Sequence, residues 1–488
     1  TYTPYLGNQE IIKSRLEVTK DFPKELEEMG VYWRRAAGGE LYVGRGGARA
    51  HAARGVPHNL FAPKMGQTGK CLTGVLKGEI LRKKVNVLEE TVATSLLKSD
   101  GKVVGVTAID LIDGRFFVLR AKSTIMATGG LGYLWTFSTG SSELSGDGHV
   151  MAYRAGAEIM DIEFNSWHVA HMARPDAWFR INIEPIPSPP TGWYPHFYNM
   201  KGERFMQEFE VSSKEAQAMA VCREIKKGTA TARGSYYVSL RHVDPKLNQL
   251  EEYHGPYDFI KKIGIDTVKD LIEVRMVAHS TIGGIRINER SETTLNGLYA
   301  AGGVACGHQP SLLHCFWGGK TSGKYASIYA RERSIPSLDW QQIEKEQDRV
   351  LSFLRTDPRN GMSPAQIKKQ IREIMYENVG FMKSEAGLKR ALEGLRKLRA
   401  EAVPKMRLES DTRRFNQSWV DALDVVNMLD ACEIVATASL FRKESRGAFQ
   451  REDYPETDNQ NWLKNVVLKL VDGKMEVYGD PINFLYVK

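Results

Sequence analysis

Residues 123–130 read Ser-Thr-Ile-Met-Ala-Thr-Gly-Gly, a short apolar run that ends on paired glycines. A buried strand gives that pattern, and glycines at its carboxyl end let the backbone approach a ligand closely. Upstream, from Lys84 to Met126, apolar segments alternate with Asp100-Gly101 and Asp113-Gly114. Those dipeptides supply the left-handed backbone of tight hairpins, so the stretch predicts a three-stranded antiparallel meander leading into the 123–126 strand. Downstream, Ser145-Gly146-Asp147-Gly148 opens a helical pattern, and the free amides of a helix N-terminus suit phosphate or ring oxygens. Leu298-Tyr299-Ala300-Ala301-Gly302-Gly303 gives a second strand and glycine turn, with helix-like sequence after it to Arg333.

Farther out, residues 1–36 carry helical periodicity through Ile11, Ile12, Leu16, Phe22, Leu26 and Met29, with Gly30 as the stop signal. Residues 168–278 are rich in proline and aromatics with weak periodicity, as expected of an inserted domain. Beyond Pro336 the pattern turns to long helices. Ser363-Pro364-Ala365-Gln366 combines an N-cap serine, proline at the first helical position and glutamine at the third, which is a capping box. Leu388, Leu392, Leu395 and Leu398 mark one face of a basic helix, whose lysines and arginines read as a solvated face rather than a nucleic-acid patch.

The composition is that of a folded enzyme. Of 488 residues, 42 % are apolar and 26 % charged, and the net charge is +8, which excludes disorder and a collagen-like chain. At roughly 100–200 residues per domain there is room for about two to four domains. No apolar run approaches the roughly 18 residues of a membrane span, and no basic-then-apolar leader stands at the start. Cys71, Cys222, Cys306, Cys315 and Cys432 show neither CxxC nor metal-ligand spacing. No disulfide framework, metal site or iron–sulfur cluster is therefore expected, and the compartment reads as reducing and cytoplasmic.

Several motifs occur in a fixed order: Thr128-Gly129-Gly130, Ser145-Gly146-Asp147-Gly148 with Arg154-Ala155-Gly156-Ala157, Glu163-Phe164, and Gly202-Glu203-Arg204-Phe205-Met206. After them come His279-Ser280-Thr281-Ile282-Gly283-Gly284, Gly297-Leu298-Tyr299-Ala300-Ala301-Gly302 and Arg442-Lys443-Glu444-Ser445-Arg446-Gly447-Ala448. In this register the chain resembles the flavoprotein subunit of the succinate dehydrogenase and fumarate reductase superfamily over nearly its whole length. The resemblance implies an α/β fold with a Rossmann-like FAD-binding domain of the two-dinucleotide-domain type (residues 1–166 and 279–335). An inserted α+β capping domain (167–278), a C-terminal helical bundle (336–450) and a tail (451–488) complete it.

FAD would then exchange hydride between flavin N5 and a carbon of a small anionic, carboxylate-like substrate. Arg204 matches the arginine that acts as general acid or base on the other carbon, a role that needs a desolvated site beside another cation. His168 and His279 match histidines that donate to the substrate carboxylate. Thr128, Gly129, Gly130, Gly146, Asp147, Gly302 and Gly303 fall on the flavin-binding turns. Ser311-Leu312-Leu313 resembles the helix start whose amides face the flavin pyrimidine edge. With no cluster ligands of its own, the chain is expected to take an iron–sulfur protein as electron partner, docked on the basic helical face at the periphery of a membrane complex.

Other positions depart from the family. Members specific for dicarboxylates carry an arginine in the segment before Ser-Leu-Leu, which here is Cys306-Gly307-His308-Gln309-Pro310. Glu184 matches the glutamate of the family's proton relay, but Pro187 stands where its arginine would be. Gly303 replaces a ribityl-binding glutamate and Phe449 a histidine. Adenylylsulfate reductase alpha subunits also lack the dicarboxylate arginine. On that alternative a sulfur anion attacks flavin N5, and His308, His314 and Lys320 are candidate anion contacts. Gly319-Lys320-Thr321 ends like a P-loop, yet His314 stands where the motif needs glycine, and Gly44–Arg49 breaks G-x-G-x-x-G at its last position. The strand, G-x-G-x-x-G turn and acidic residue that hold an FAD pyrophosphate are not in the chain. In the family they form the extreme N-terminus, and residues 1–36 resemble the segment just after them. Three expectations are open: a separate chain supplies that unit, the unit lies before Thr1, or the protein is a flavin-free structural subunit.

Overall fold

The computed structural model describes residues 3–33, 35, 38–41, 68–174, 194–210, 212–244, 246, 260–308, 311–355 and 361–486. Glu184, Pro187, Gln309, Pro310 and the Gly44–Arg49 motif lie outside them. The chain divides into two compact units, one of residues 1–16, 88–166 and 278–488, the other of residues 17–87 and 167–277.

In the first unit the expected meander is present, with Thr91–Ser99, Lys102–Asp110 and Phe116–Arg120 paired antiparallel in that order. Asp100 and Gly101 turn the first hairpin with φ of 49° and 71°, the left-handed pair that matches strand twist. Leu97 and Val104 pack under Ile343 of the helix Trp340–Ser352, and Ile109 packs with Val350, Trp419 and Leu423. Burial of each such side chain stabilises by about 2 kcal/mol, so the sheet is held by the helices above it.

Three further helices form a layer: Pro364–Asn378, Glu385–Lys397 and Gln417–Phe441. The capping box at Ser363 and Gln366 is formed, and Leu388, Leu392, Leu395 and Leu398 are all buried. The tail then returns as Lys464–Val471 and Lys474–Pro481, adding two strands to a sheet that also holds Ile159–Met160 and Gly284–Ile285.

The N-terminal helical expectation holds with one difference. Helix Gln9–Thr19 gives way to a separate helix Phe22–Glu28, because Pro23 fits only a first turn, and Gly30 at φ 104° ends it. The second unit contains a four-stranded sheet in the order Asn165–Met172, Ile272–Thr281, Tyr236–Ser239 and His196–Tyr198. Its weak sequence periodicity has a physical cause: every residue of Asn165–Met172 is buried, so there is no polar face to alternate with. No described helix is long and apolar enough to cross a membrane.

Candidate active site

In the first unit, strand Thr124–Met126 pairs in parallel with Leu298–Ala300. Because both run the same way, their glycine ends emerge side by side, and the crevice outside the carboxyl ends of parallel strands is where such sheets bind ligands. The turns meet backbone to backbone: a Cβ on Gly303 would lie 3.1 Å from the Gly130 nitrogen. A third turn closes in at Gly146, which caps the helix Asp147–Ala155. Gly148 sits so tightly on Thr128 that a Cβ there would stand 1.9 Å from its Oγ1. Leu131 N donates to Thr281 Oγ1 at 2.8 Å, tying the first turn to the strand end that carries His279.

The fourth piece is helix Leu312–Arg331, whose N-cap Ser311 accepts from the His314 amide at 3.2 Å. Cys315 in its first turn lies 3.6 Å from where a Gly302 Cβ would be. The structure thus brings together Thr128, Gly129, Gly130, Gly146, Asp147, Gly302 and Gly303, with the Ser311-Leu312-Leu313 turn beside them. Glycine turns and the free amides of helix starts fit the flat ring and polar edge of a flavin. Burial pushes the Asp147 carboxyl up to about 6, against the hydrogen bond from the Gly148 amide. The Asp147–Ala155 helix is clamped at both ends to helix Gln417–Phe441: Ser145 Oγ donates to Asp424 at 3.4 Å, and Arg154 Nη1 donates to Asn427 at 2.8 Å.

The same unit holds a buried charge network. Arg442 donates to Glu163 at 2.7 Å, Glu444 at 3.0 Å and Asp161 at 3.2 Å, and Arg446 holds Glu444 at 2.8 Å through two nitrogens. Burial pushes the Asp161 and Glu163 carboxyls upward while Arg442 opposes it. Asp161, Cys306 and His308 bring a carboxylate, a thiol and an imidazole within 4.8 Å of one another. Asp161 already accepts from Asn465, Val466 and Arg442, so its negative charge is answered by a guanidinium. His308 and His314 are buried, and both are pushed down to about 4, first by burial and then by Arg15. Lys320 is exposed on its helix.

His279 bonds through Nδ1 to Thr139 Oγ1 at 2.7 Å, which orients its ring. In the second unit His168 is buried, with Lys214 Nζ 2.8 Å from its Nε2 and His171 Nε2 at 3.4 Å from its Nδ1. Arg204 follows strand His196–Tyr198 and pairs with Tyr198. Its guanidinium forks onto Glu210, with Nε donating to Oε1 at 3.0 Å and Nη2 to Oε2. Glu210 is 1 % exposed, and it raises the Arg204 pKa above the ordinary value. The described neighbour is therefore an anion, whereas the acid–base role expected of Arg204 needs a second cation. Glu210, Thr281, Thr139 and Lys214 escape motif reading. Only Thr281 stands inside a quoted motif, and Glu210 lies six residues beyond Arg204 with no pattern of its own.

Residues 2–310 match the FAD binding domain family, and residues 368–487 match the fumarate reductase flavoprotein C-terminal family. The chain belongs to the FAD-binding flavoproteins of the fumarate reductase and succinate dehydrogenase superfamily. A fumarate reductase (CoM/CoB) subunit of Methanothermobacter marburgensis is 27 % identical over 478 residues, covering 95 % of this chain and 84 % of that protein. Mycobacterium smegmatis Sdh1 in complex with UQ1 superposes with a TM-score of 0.86 at 26 % identity, over 99 % of this chain and 83 % of that one. Archaeoglobus fulgidus adenylylsulfate reductase shares the fold, with a TM-score of 0.76 at 18 % identity over 98 % of this chain and 83 % of that one. This flavoprotein is an FAD-dependent oxidoreductase, which sets aside the flavin-free alternative.

Proposed function

We propose that this flavoprotein reduces the double bond of a small unsaturated carboxylate of the fumarate type. The observation that carries the reading is the glycine cradle built by the turns at 128–130, 146–148 and 302–303, in a chain whose Arg204 stands in the family's Gly-x-Arg-Phe context. Bound FAD supplies the two-electron hydride chemistry. The chain's residues do the rest. The turns at 128–130, 146–148 and 302–303 and the amides of Ser311-Leu312-Leu313 hold the ring. His279 donates to the substrate carboxylate, its ring set by Thr139, and His168 must first exchange its contact with Lys214 or His171 to do the same. An Arg204 N–H gives its proton to the carbon opposite the one reduced. His308, His314 and Lys320 remain candidates for the second anionic group, and Glu184 for the proton relay. Electrons arrive from an iron–sulfur protein docked on the basic helical layer, a contact that added salt should weaken.

The decisive test is Arg204→Ala assayed with fumarate and reduced methyl viologen. Turnover should fall by about 10³-fold or more with flavin absorbance retained; an unchanged rate would overturn the assignment. Turnover with sulfite plus AMP and none with fumarate would replace the carboxylate reading with the sulfur-anion one.

A further inference from the structure

In the second unit Arg174, Arg204, Lys227 and Lys269 each meet a carboxylate. Lys214 is different. Its ammonium is half-buried, and among the described residues its partner is another basic group, His168, whose Nε2 lies 2.8 Å from Nζ. Among those residues no carboxylate pairs with it, Glu215 of the same helical turn included. The local backbone adds to the imbalance. Lys214 is the first residue of helix Lys214–Lys226, where free amides and the macrodipole already put positive potential, and N-cap Ser213 takes only the Ala216 amide. A cation at this end of a helix is disfavoured by about 0.3–1 kcal/mol, a cost that a bound anion removes. The contact also fixes where the protons are. An ammonium only donates, so His168 Nε2 accepts, and the neutral ring carries its hydrogen on Nδ1, facing His171 Nε2 at 3.4 Å. Both nitrogens of His168 are thereby engaged, whereas Lys214 keeps N–H groups to spare.

We propose that Lys214 is the cation that binds the substrate carboxylate at this place, and that His168 is a positioning residue acting through it. The proposal rests on the reading of the substrate as a carboxylate. Strand Asn165–Met172 is buried along its whole length, so His168 is a fixed acceptor: it takes one N–H of the ammonium and leaves the others for the ligand. His171, on the same strand, holds the ring from its other nitrogen. The helix start is fixed as well, because Gln217 Nε2 donates to the Glu210 carbonyl at 3.0 Å. That bond ties the turn carrying Lys214 to the residue that holds Arg204. The two cations differ in what they can offer. Arg204 is forked onto Glu210, and its charge is answered there, whereas the charge of Lys214 has no described carboxylate to meet. In a half-buried place the contact between ammonium and carboxylate is screened less than at the surface. No bond is made or broken in this step; the carboxylate accepts from Nζ in place of water.

Lys214→Met keeps the length of the side chain and removes its charge. In the FAD-loaded protein it should raise KM for fumarate roughly 10–100-fold with kcat changed far less, and competitive inhibition by succinate should weaken by the same factor. Lys214→Arg should keep most of the affinity. His168→Leu removes the acceptor and should raise KM by itself, yet add nothing to Lys214→Met in the double variant, because the histidine acts through the ammonium. His168→Gln, whose carbonyl can take the same N–H, should recover most of that loss. All variants are compared at equal flavin content, with the thermal midpoint as the check on folding. An unchanged KM in Lys214→Met, in a wild type that reduces fumarate, rules out this assignment alone. Losses that add in the double variant give His168 a substrate contact of its own and overturn its positioning role. Turnover of sulfite plus AMP with none of fumarate removes the carboxylate reading, and the proposal with it.

Discussion

Arg204 shows how far one buried neighbour sets the character of a side chain. The Gly-Glu-Arg-Phe context marks it from sequence, but whether the guanidinium is held charged or pushed toward neutrality depends on what packs against it, and Glu210 decides for the charged form. His149 is a second case, invisible to motif reading. It is buried with neither ring nitrogen hydrogen-bonded, and burial pushes it down to about 3 from 6.5. The sign is direct. The unfolded chain binds this proton below pH 6.5, while the folded chain resists it until about 3, so stability is lost as pH falls through that window. His149→Leu should therefore be near neutral at pH 7 and stabilise by about 2 kcal/mol at pH 5, read from urea midpoints at the two pH values. His308 and His314 act in the same direction. Asp147, raised to about 6, acts in the opposite one, because its folded carboxyl holds a proton that the unfolded one releases. Comparing the variant with the wild type isolates the single histidine from that background.

At the scale of elements, the glycine turns carry the prediction. Gly148 is in the first turn of its helix and pressed onto Thr128, where an added Cβ would stand 1.9 Å from Oγ1. Gly148→Ala should force the 146–148 turn away from the 128–130 turn and cut bound flavin to below about half of one per chain, since contact at that distance cannot be relieved without backbone movement. Absorbance at the flavin band against protein concentration checks it, with the thermal midpoint confirming that the chain still folds. These elements were legible because local rules govern them. Asp-Gly hairpins, a serine–proline–glutamine cap and an apolar strand ending in glycine each act within a few residues. The sheet of the second unit was not legible, because Asn165–Met172 is buried throughout and its neighbours in the sheet come from distant segments.

Across the whole molecule, Arg442 is the point where separate stretches of chain meet. It joins Asp161 and Glu163 to Glu444 and to the Lys464 carbonyl, bridging a sequence separation of 279 residues to Glu163. Both guanidinium and carboxylates are fully buried, so removing the cation leaves uncompensated negative charge. Arg442→Met should cost about 3–5 kcal/mol, read as a drop in the urea midpoint at constant m-value; a change under about 1 kcal/mol would show that the carboxyls simply take up protons. By itself the sequence determined the strand-and-glycine turns, the meander and the helical layer, and it marked Arg204, His168 and His279 as candidates. Each of those depends on backbone geometry or on residues close together in the chain. Only the tertiary structure decided that Glu210 holds Arg204, that Lys214 meets His168, and that Glu163 and Arg442 share one buried site. A charge takes its strength from the partners and the dielectric around it, and packing between distant segments supplies both.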